Sequence, residues 1–253
     1  MAWLGGMGRG NIGTLVVAIS LSVGFFAERP AMADERKILV ASFENIQVIG
    51  DIKVQVQTGK APSARAKGDK RVLDALKLER VGMTLRVRLQ GALNNAKGVP
   101  MTQPLEVMLS TQAVKDATVS GNGTLQISEV KQQDAVRMLV AGNGSILVDR
   151  LLTDQFSAAI DGNGRIDIKD GNVREGRVTL NGTGNFDAPN VPMRTLRLEH
   201  IGNGASSVNV GEEANIFNRG TGTINVGGSG SCFVKQAGSA AINCARIEKG
   251  SRK

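Results

Sequence analysis

The sequence predicts an all-β fold, a solenoid wound in coils of about 20 residues, and three observations carry that reading. The first is a glycine phrase that recurs through the C-terminal half: Gly121-Asn122-Gly123, Gly142-Asn143-Gly144, Gly162-Asn163-Gly164, Gly182-Thr183-Gly184, Gly202-Asn203-Gly204 and Gly220-Thr221-Gly222. A fixed period of this length marks an array whose units cannot bury an apolar face alone. The second is that apolar pairs stand at constant distances on either side of each phrase. The third is composition: 32 Gly against 6 Pro, with 41% hydrophobic and 3% aromatic residues, has too much glycine for a helical bundle and enough apolar mass for a core.

Residues 1–33 read as a signal peptide. Arg9 precedes an apolar run from Ile12 to Phe26, and Ala31-Met32-Ala33 supplies the small-x-small cleavage site. An uncleaved membrane anchor is the alternative; the run is shorter than the ~20 residues a spanning helix needs and is diluted by Ser20, Ser22 and Gly24. Cleavage removes two arginines and one glutamate from the formal charge of +8, leaving +7. No second apolar span follows, so the mature chain is expected to be exported without a transmembrane segment, to the periplasm or the surface of a bacterium.

Residues 34–112 read as an N-terminal β segment, the first coils or a cap. Phe43, Ile46 and Val48, then Ile52, Val54 and Val56, alternate with polar residues at the period of a strand. Lys70 to Leu78 carries Val72, Leu73, Ala75 and Leu76 on one face and reads as the one short helix. Leu85, Val87 and Leu89 resume the alternation. A polar connection from Gly91 to Pro104 leads to Leu105, Val107 and Leu109.

Residues 113–247 read as the solenoid repeats. Before the phrases stand Ala117 and Val119, Met138 and Val140, Ala158 and Ile160, Val178 and Leu180. After them stand Ile127, Ile146 and Val148, Ile166 and Ile168, Phe186 and Ala188, with Leu125 expected one place out of step. The phrase between is a corner: glycine adopts positive φ freely, and asparagine tolerates it. Asn-Gly is also a hairpin signal, but a meander would repeat at about half this interval, so a coil of three short strands stacked on the next coil is preferred. His200, and Asn218 one coil later, fall where the ladder otherwise holds Val140, Ile160 and Leu180; both are read as structural, and the coils are expected to change shape there. Cys232 and Cys244, the only cysteines, read as a disulfide clipping the last coil of an exported protein. A basic tail, 248–253, is expected to be disordered.

The pattern argues against several chemistries. Asp161, Asp167 and Asp170 around Gly162-Asn163-Gly164 imitate part of a calcium loop, yet the neighbouring repeats carry no carboxylates there. The glycine phrases lack the lysine and following helix of a phosphate loop. Sequons at Asn122, Asn143 and Asn181 arise from the repeat itself. With no Tyr and with Trp3 in the leader, aromatic platforms for bases are scarce, and no nucleic acid is expected as partner. No cofactor, metal or catalytic residue is expected; Asp161, Asp167 and Asp187 would support a polysaccharide-active enzyme only if they converged in one groove.

Taken in order, Phe43-Glu-Asn-Ile46-Gln-Val48, Ile52-Lys-Val54-Gln-Val56, the Gly68-Asp69 turn, Leu85-Arg-Val87 and the serial G-N-G corners resemble the autotransporter adhesin head known as the GIN domain, or DUF2807, from about Phe43 to Val226. The resemblance implies an exported right-handed parallel β-helix with a role in surface adhesion, and brings no catalytic residues. No C-terminal membrane barrel follows in this sequence. The expected function is a non-enzymatic cell-envelope solenoid that binds a glycan or a surface protein along a strand face; the alternatives are the enzyme and a purely structural, homo-oligomerising protein.

Overall fold

The computed structural model describes residues 34–91 and 105–249. The segment read as a signal peptide, most of the connection 92–104 and residues 250–253 lie outside them. Among the described residues no helix is long and apolar enough to cross a membrane.

The body of the fold is a stack of long, parallel, in-register strands: β8 (Asp116–Gly121), β9 (Thr124–Gly142), β10 (Ser145–Gly162), β11 (Arg165–Gly182), β12 (Asn185–Gly202), β13 (Ala205–Asn218), β14 (Thr223–Gln236) and β15 (Ala241–Lys249). Each long strand is one coil. The parity of burial along β10 shows how a single strand goes round: Ile146 and Val148 are buried, then Leu151 and Thr153, then Phe156, Ala158 and Ile160. Side chains alternate along a strand, so each jump of three marks a bend where two successive residues, Asp149-Arg150 or Asp154-Gln155, turn outward. Three faces result, and the third bend of the coil is the glycine corner. The coil is thus one continuous hydrogen-bonded ribbon bent twice, where the sequence suggests three separate short strands.

Stacking turns each inward position into a ladder. Leu125, Ile146, Ile166, Phe186, Ser206 and Ile224 pair in succession on the first face. Leu125 is therefore in step, paired directly with Ile146. Burying such side chains contributes roughly 1.5–3 kcal/mol each before conformational entropy is subtracted, and no coil can bury its own without a neighbour.

The two glycines of a corner do different work. The first lies at positive φ: +103° at Gly121, +116° at Gly142, +119° at Gly162, +123° at Gly182 and +124° at Gly202. The second is required for space. A Cβ on Gly123, Gly144 or Gly164 would come within 2.8, 2.6 and 2.6 Å of the carbonyl oxygens of Gly50, Gly123 and Gly144. That approach keeps the backbone paired through the corner, with Ser145 N–H donating to Gly123 O at 2.9 Å and Arg165 N–H to Gly144 O at 3.0 Å. Gly220 lies outside the positive-φ set; it opens a corner where coils have shortened from 20 residues to 18, the register shifting between Ala188 and Pro192.

The opening segment holds a corner that the sequence pattern hides. β2 (Asn45–Ile49) stacks on β8, Ile46 on Ala117 and Val48 on Val119, while β3 (Lys53–Gln57) stacks on β9, Val54 on Leu125 and Val56 on Ile127. Between them Gly50, at φ +96°, lies against Gly121. Asp51 occupies the middle of that corner and Ile52 follows, so no G-x-G is visible. Beyond β3 the first face continues through β7 (Glu106–Ser110) to β4 (Ser63–Gly68) and β1 (Asp34–Ile38), the last two antiparallel. Beyond β2 the third face continues through β6 (Thr84–Leu89) to β5 (Leu76–Val81), also antiparallel. The helix α1 is shorter than the sequence suggests, Lys70–Ala75: Leu76 and Leu78 pair with Leu89 and Val87 in β5, and strand pairing overrides the helical spacing. At the other end β15 runs through Lys249, two residues into the stretch read as a tail.

Candidate functional site

Outward side chains repeat in columns, one residue per strand, spaced about 4.8 Å. On the third face, one column of register partners reads Arg137, Ser157, Arg177, Arg197, Asn215 and Phe233. Beside it, at the bend into that face, Ala135, Gln155, Glu175, Thr195 and Glu213 form a second. The two columns line a groove of about 590 Å³ that crosses five consecutive strands. Its floor includes Gly176, which pairs with Phe156 on one side and Leu196 on the other. At Gly176 no side chain would fit without displacing Met193, whose sulfur would lie 2.8 Å from a Cβ.

The charges in this groove are unevenly satisfied. Arg137 reaches Asp116 at 3.5 Å and Glu175 reaches Arg194 at 4.0 Å, while Glu213 accepts a hydrogen bond from Asn215. The Arg197 guanidinium lies over the ring of Phe217, 4.4 Å from its centroid. Arg177 makes no ion pair or side-chain hydrogen bond among the described residues. Phe233 is 39% exposed at the end of the column. The sequence reading did not single out these arginines or the two outward phenylalanines, although the ruler that found the inward ladder also spaces the arginines.

The aspartates considered for catalysis or calcium do not gather in that groove. Asp161 stands on a corner and accepts from Asn181 Nδ2 at 3.1 Å; Asp170, at a bend, faces Arg150 at 3.8 Å. Asp167 and Asp187 are in-register neighbours on the first face. Arg165 holds Asp167 at 2.8 Å, and burial, with the Asp167 charge second, pushes the Asp187 carboxyl above its ordinary range against the pull of Arg165. Among the described residues no three His, Cys, Asp or Glu cluster as a metal site. Along the corner Asn143 Nδ2 donates to Asn122 Oδ1 and Asn163 Nδ2 donates to Asn143 Oδ1, each at 3.0 Å, and Thr183 Oγ1 donates to Asn163 Oδ1 in turn.

His200 is fully buried, paired with Leu180 below and Asn218 above. Neither ring nitrogen reaches a hydrogen-bond partner, and Ser206 Oγ is also buried and unpaired. Asn218 is engaged elsewhere: its side chain accepts from Gly220 N–H at 3.0 Å and donates to Gly220 O at 3.2 Å, bracing the corner. Burial, the largest cause, holds the His200 pKa below its ordinary value, opposed by the nearby Asn218 side chain and Gly204 backbone, whose polar groups face the ring without reaching hydrogen-bond geometry. Cys232 and Cys244 form a disulfide. Cys232 is inward on the third face of β14, and Cys244 pairs with Val226 on the first face of β15, so the bond crosses the interior at the end of the stack.

The match to known proteins follows the same span. The family described as "Putative auto-transporter adhesin, head GIN domain" matches residues 42–230, from just before β2 to within β14. The chain belongs to the GIN-domain family. Among solved structures, the GIN-domain fold is shared with a putative adhesin from Bacteroides fragilis, at TM-score 0.71 and 17% identity over 85% of this chain and 97% of that one. A putative lipid binding protein from Parabacteroides distasonis superimposes at TM-score 0.62 and 20% identity, covering 87% and 98%. A putative adhesin from Parabacteroides merdae does so at 0.59 and 19%, covering 87% and 97%. At these identities the likeness establishes the fold. A search of curated proteins found none that matches significantly.

Proposed function

We propose that this GIN-domain chain is an exported, non-enzymatic adhesin head that recognises an envelope glycan or a surface protein on an outward strand face. The observation that carries the reading is the groove across five consecutive coils, where inward residues repeat and outward residues differ from coil to coil. A rigid array with a varied face suits recognition of an extended ligand. The disulfide and the adhesin family support an extracytoplasmic location. Screening the purified chain against glycan and surface-protein arrays tests the proposal. Saturable binding of one class is expected; a chain that binds neither and instead forms a defined oligomer by light scattering is a structural protein, and the reading fails.

The polysaccharide-active alternative has one observation in its favour, the adjacent Asp167 and Asp187 with the latter's pKa raised. Against it, Asp167 is neutralised by Arg165, and Asp161 sits at the separate corner position. Release of reducing ends from any array ligand that binds would revive it.

A further inference from the structure

We propose that the ligand of the third-face groove is a linear polyuronate, an acidic glycan whose carboxylates are taken by Arg177 and Arg197. The inference rests on the ligand-binding reading above and adds the chemistry of the ligand. Arg177 and Arg197 are direct register partners on adjacent strands, and like charges placed opposite one another across strands destabilise a sheet. Elsewhere on this solenoid cations in neighbouring coils meet carboxylates: Lys169 with Asp149 at 2.7 Å, Arg150 with Asp170, Arg174 with Asp154. Here the pattern is broken. The two acids that line the groove, Glu175 and Glu213, contact Arg194 and Asn215, and among the described residues neither reaches ion-pair distance of Arg177 or Arg197.

A guanidinium presents a planar fork of N–H donors that fits a carboxylate two bonds at a time. Two forks one strand apart, with Arg137 two strands further along the same column, match a polymer that carries a carboxylate on successive units. Ser157 stands between Arg137 and Arg177 and Asn215 beyond Arg197, and the neighbouring column holds Gln155 and Thr195, all able to exchange hydrogen bonds with sugar hydroxyls. Exposed Phe233, next in the column beyond Asn215, offers apolar surface at that end for the C–H face of a sugar. Too few rings line the groove to stack successive bases, which favours a glycan over a single-stranded nucleic acid.

The test is titration calorimetry of the full chain with polygalacturonate, with the same polymer after methyl esterification, and with single-stranded DNA of similar charge. Polygalacturonate is expected to bind, to weaken as salt is raised, and to lose about tenfold or more in affinity in each of R177Q and R197Q. Arg150→Gln, a cation at a bend away from the groove, serves as the charge control and should leave affinity unchanged. Folding of every variant is verified by its β circular dichroism. Equal affinity for the esterified polymer, tighter binding to DNA, or an equal loss in R150Q each overturns the proposal. Binding of only a neutral glycan or a protein on the arrays overturns it while leaving the adhesin reading intact; failure of all arms together with empty arrays overturns both.

Discussion

Replacing His200 with leucine should stabilise this protein, and more so in acid. The imidazole stands in an apolar ladder with Leu180 directly beneath it, is completely buried, and has no hydrogen-bond partner on either nitrogen. A buried polar group without a partner costs about 1–3 kcal/mol, and leucine is the residue that the same slot accepts one coil earlier, so H200L should gain about 2 kcal/mol at neutral pH. The pH dependence follows from the direction of the shift. Burial depresses the folded-state pKa below the ordinary value of 6.5, so in acid the unfolded chain binds a proton that the folded chain refuses. The stability present above pH 6.5 is then lost as pH falls, by up to about 1.4 kcal/mol per pH unit until the buried ring itself protonates. H200L lacks that loss. Urea denaturation of both proteins at pH 7.5, 6.0 and 5.0 checks this; coils in an array can open separately, so a probe within β12 is preferable to a global signal. A gap that stays constant between pH 7.5 and 5.0, or a leucine variant less stable than the parent, refutes the reasoning.

Three further outcomes follow from the coil geometry. G164A should destabilise by about 3 kcal/mol through overpacking alone, since its Cβ would meet Gly144 O at 2.6 Å without any unfavourable φ; G59A, at φ +75° in open space, should cost only about 1 kcal/mol, and thermal melts of the two compare them. Reducing the Cys232–Cys244 bond should remove about 3 kcal/mol, read as faster amide exchange in β15 while β10 and β11 keep their protection. D187N should stabilise the chain at pH 7 by about 0.5 kcal/mol, because it removes a like charge opposite Asp167. Since the Asp187 pKa is raised in the fold, the parent gains stability as pH falls through that raised value and the variant does not, which denaturant midpoints at pH 7 and pH 4 would show.

The sequence disclosed what repeats. Val140, Ile160 and Leu180 recur because each inward slot must be apolar, and Gly144 and Gly164 recur because the corner beneath leaves no room for a Cβ, so periodicity alone exposes both. Gly50 escaped notice because one positive-φ glycine suffices where the coil beyond it is built differently and Ile52 replaces the second glycine. The spacing of Val72, Leu73, Ala75 and Leu76 suits a helix running to Leu78, and only pairing with β6 decides that Leu76 belongs to a strand. The groove was missed for a different reason. Outward positions are free to vary, so Arg137, Ser157, Arg177 and Arg197 look unrelated until the chain is aligned on its corners. The disulfide pairing was legible from a cysteine count of two, but that it spans the interior rather than clipping one wall depends on which face each cysteine occupies.

Because Gly142 and Gly162 present nearly the same backbone to the coil above, an in-frame duplication of residues 143–162 would meet matching corners at both joints. It would lengthen the stack by one rung of about 4.8 Å and add one more position to the outward column. The molecule therefore behaves as a ruler with interchangeable divisions. Lineages can change the length of the recognising face by copying a division and retune its chemistry by editing one outward residue, with the ladder inside left untouched.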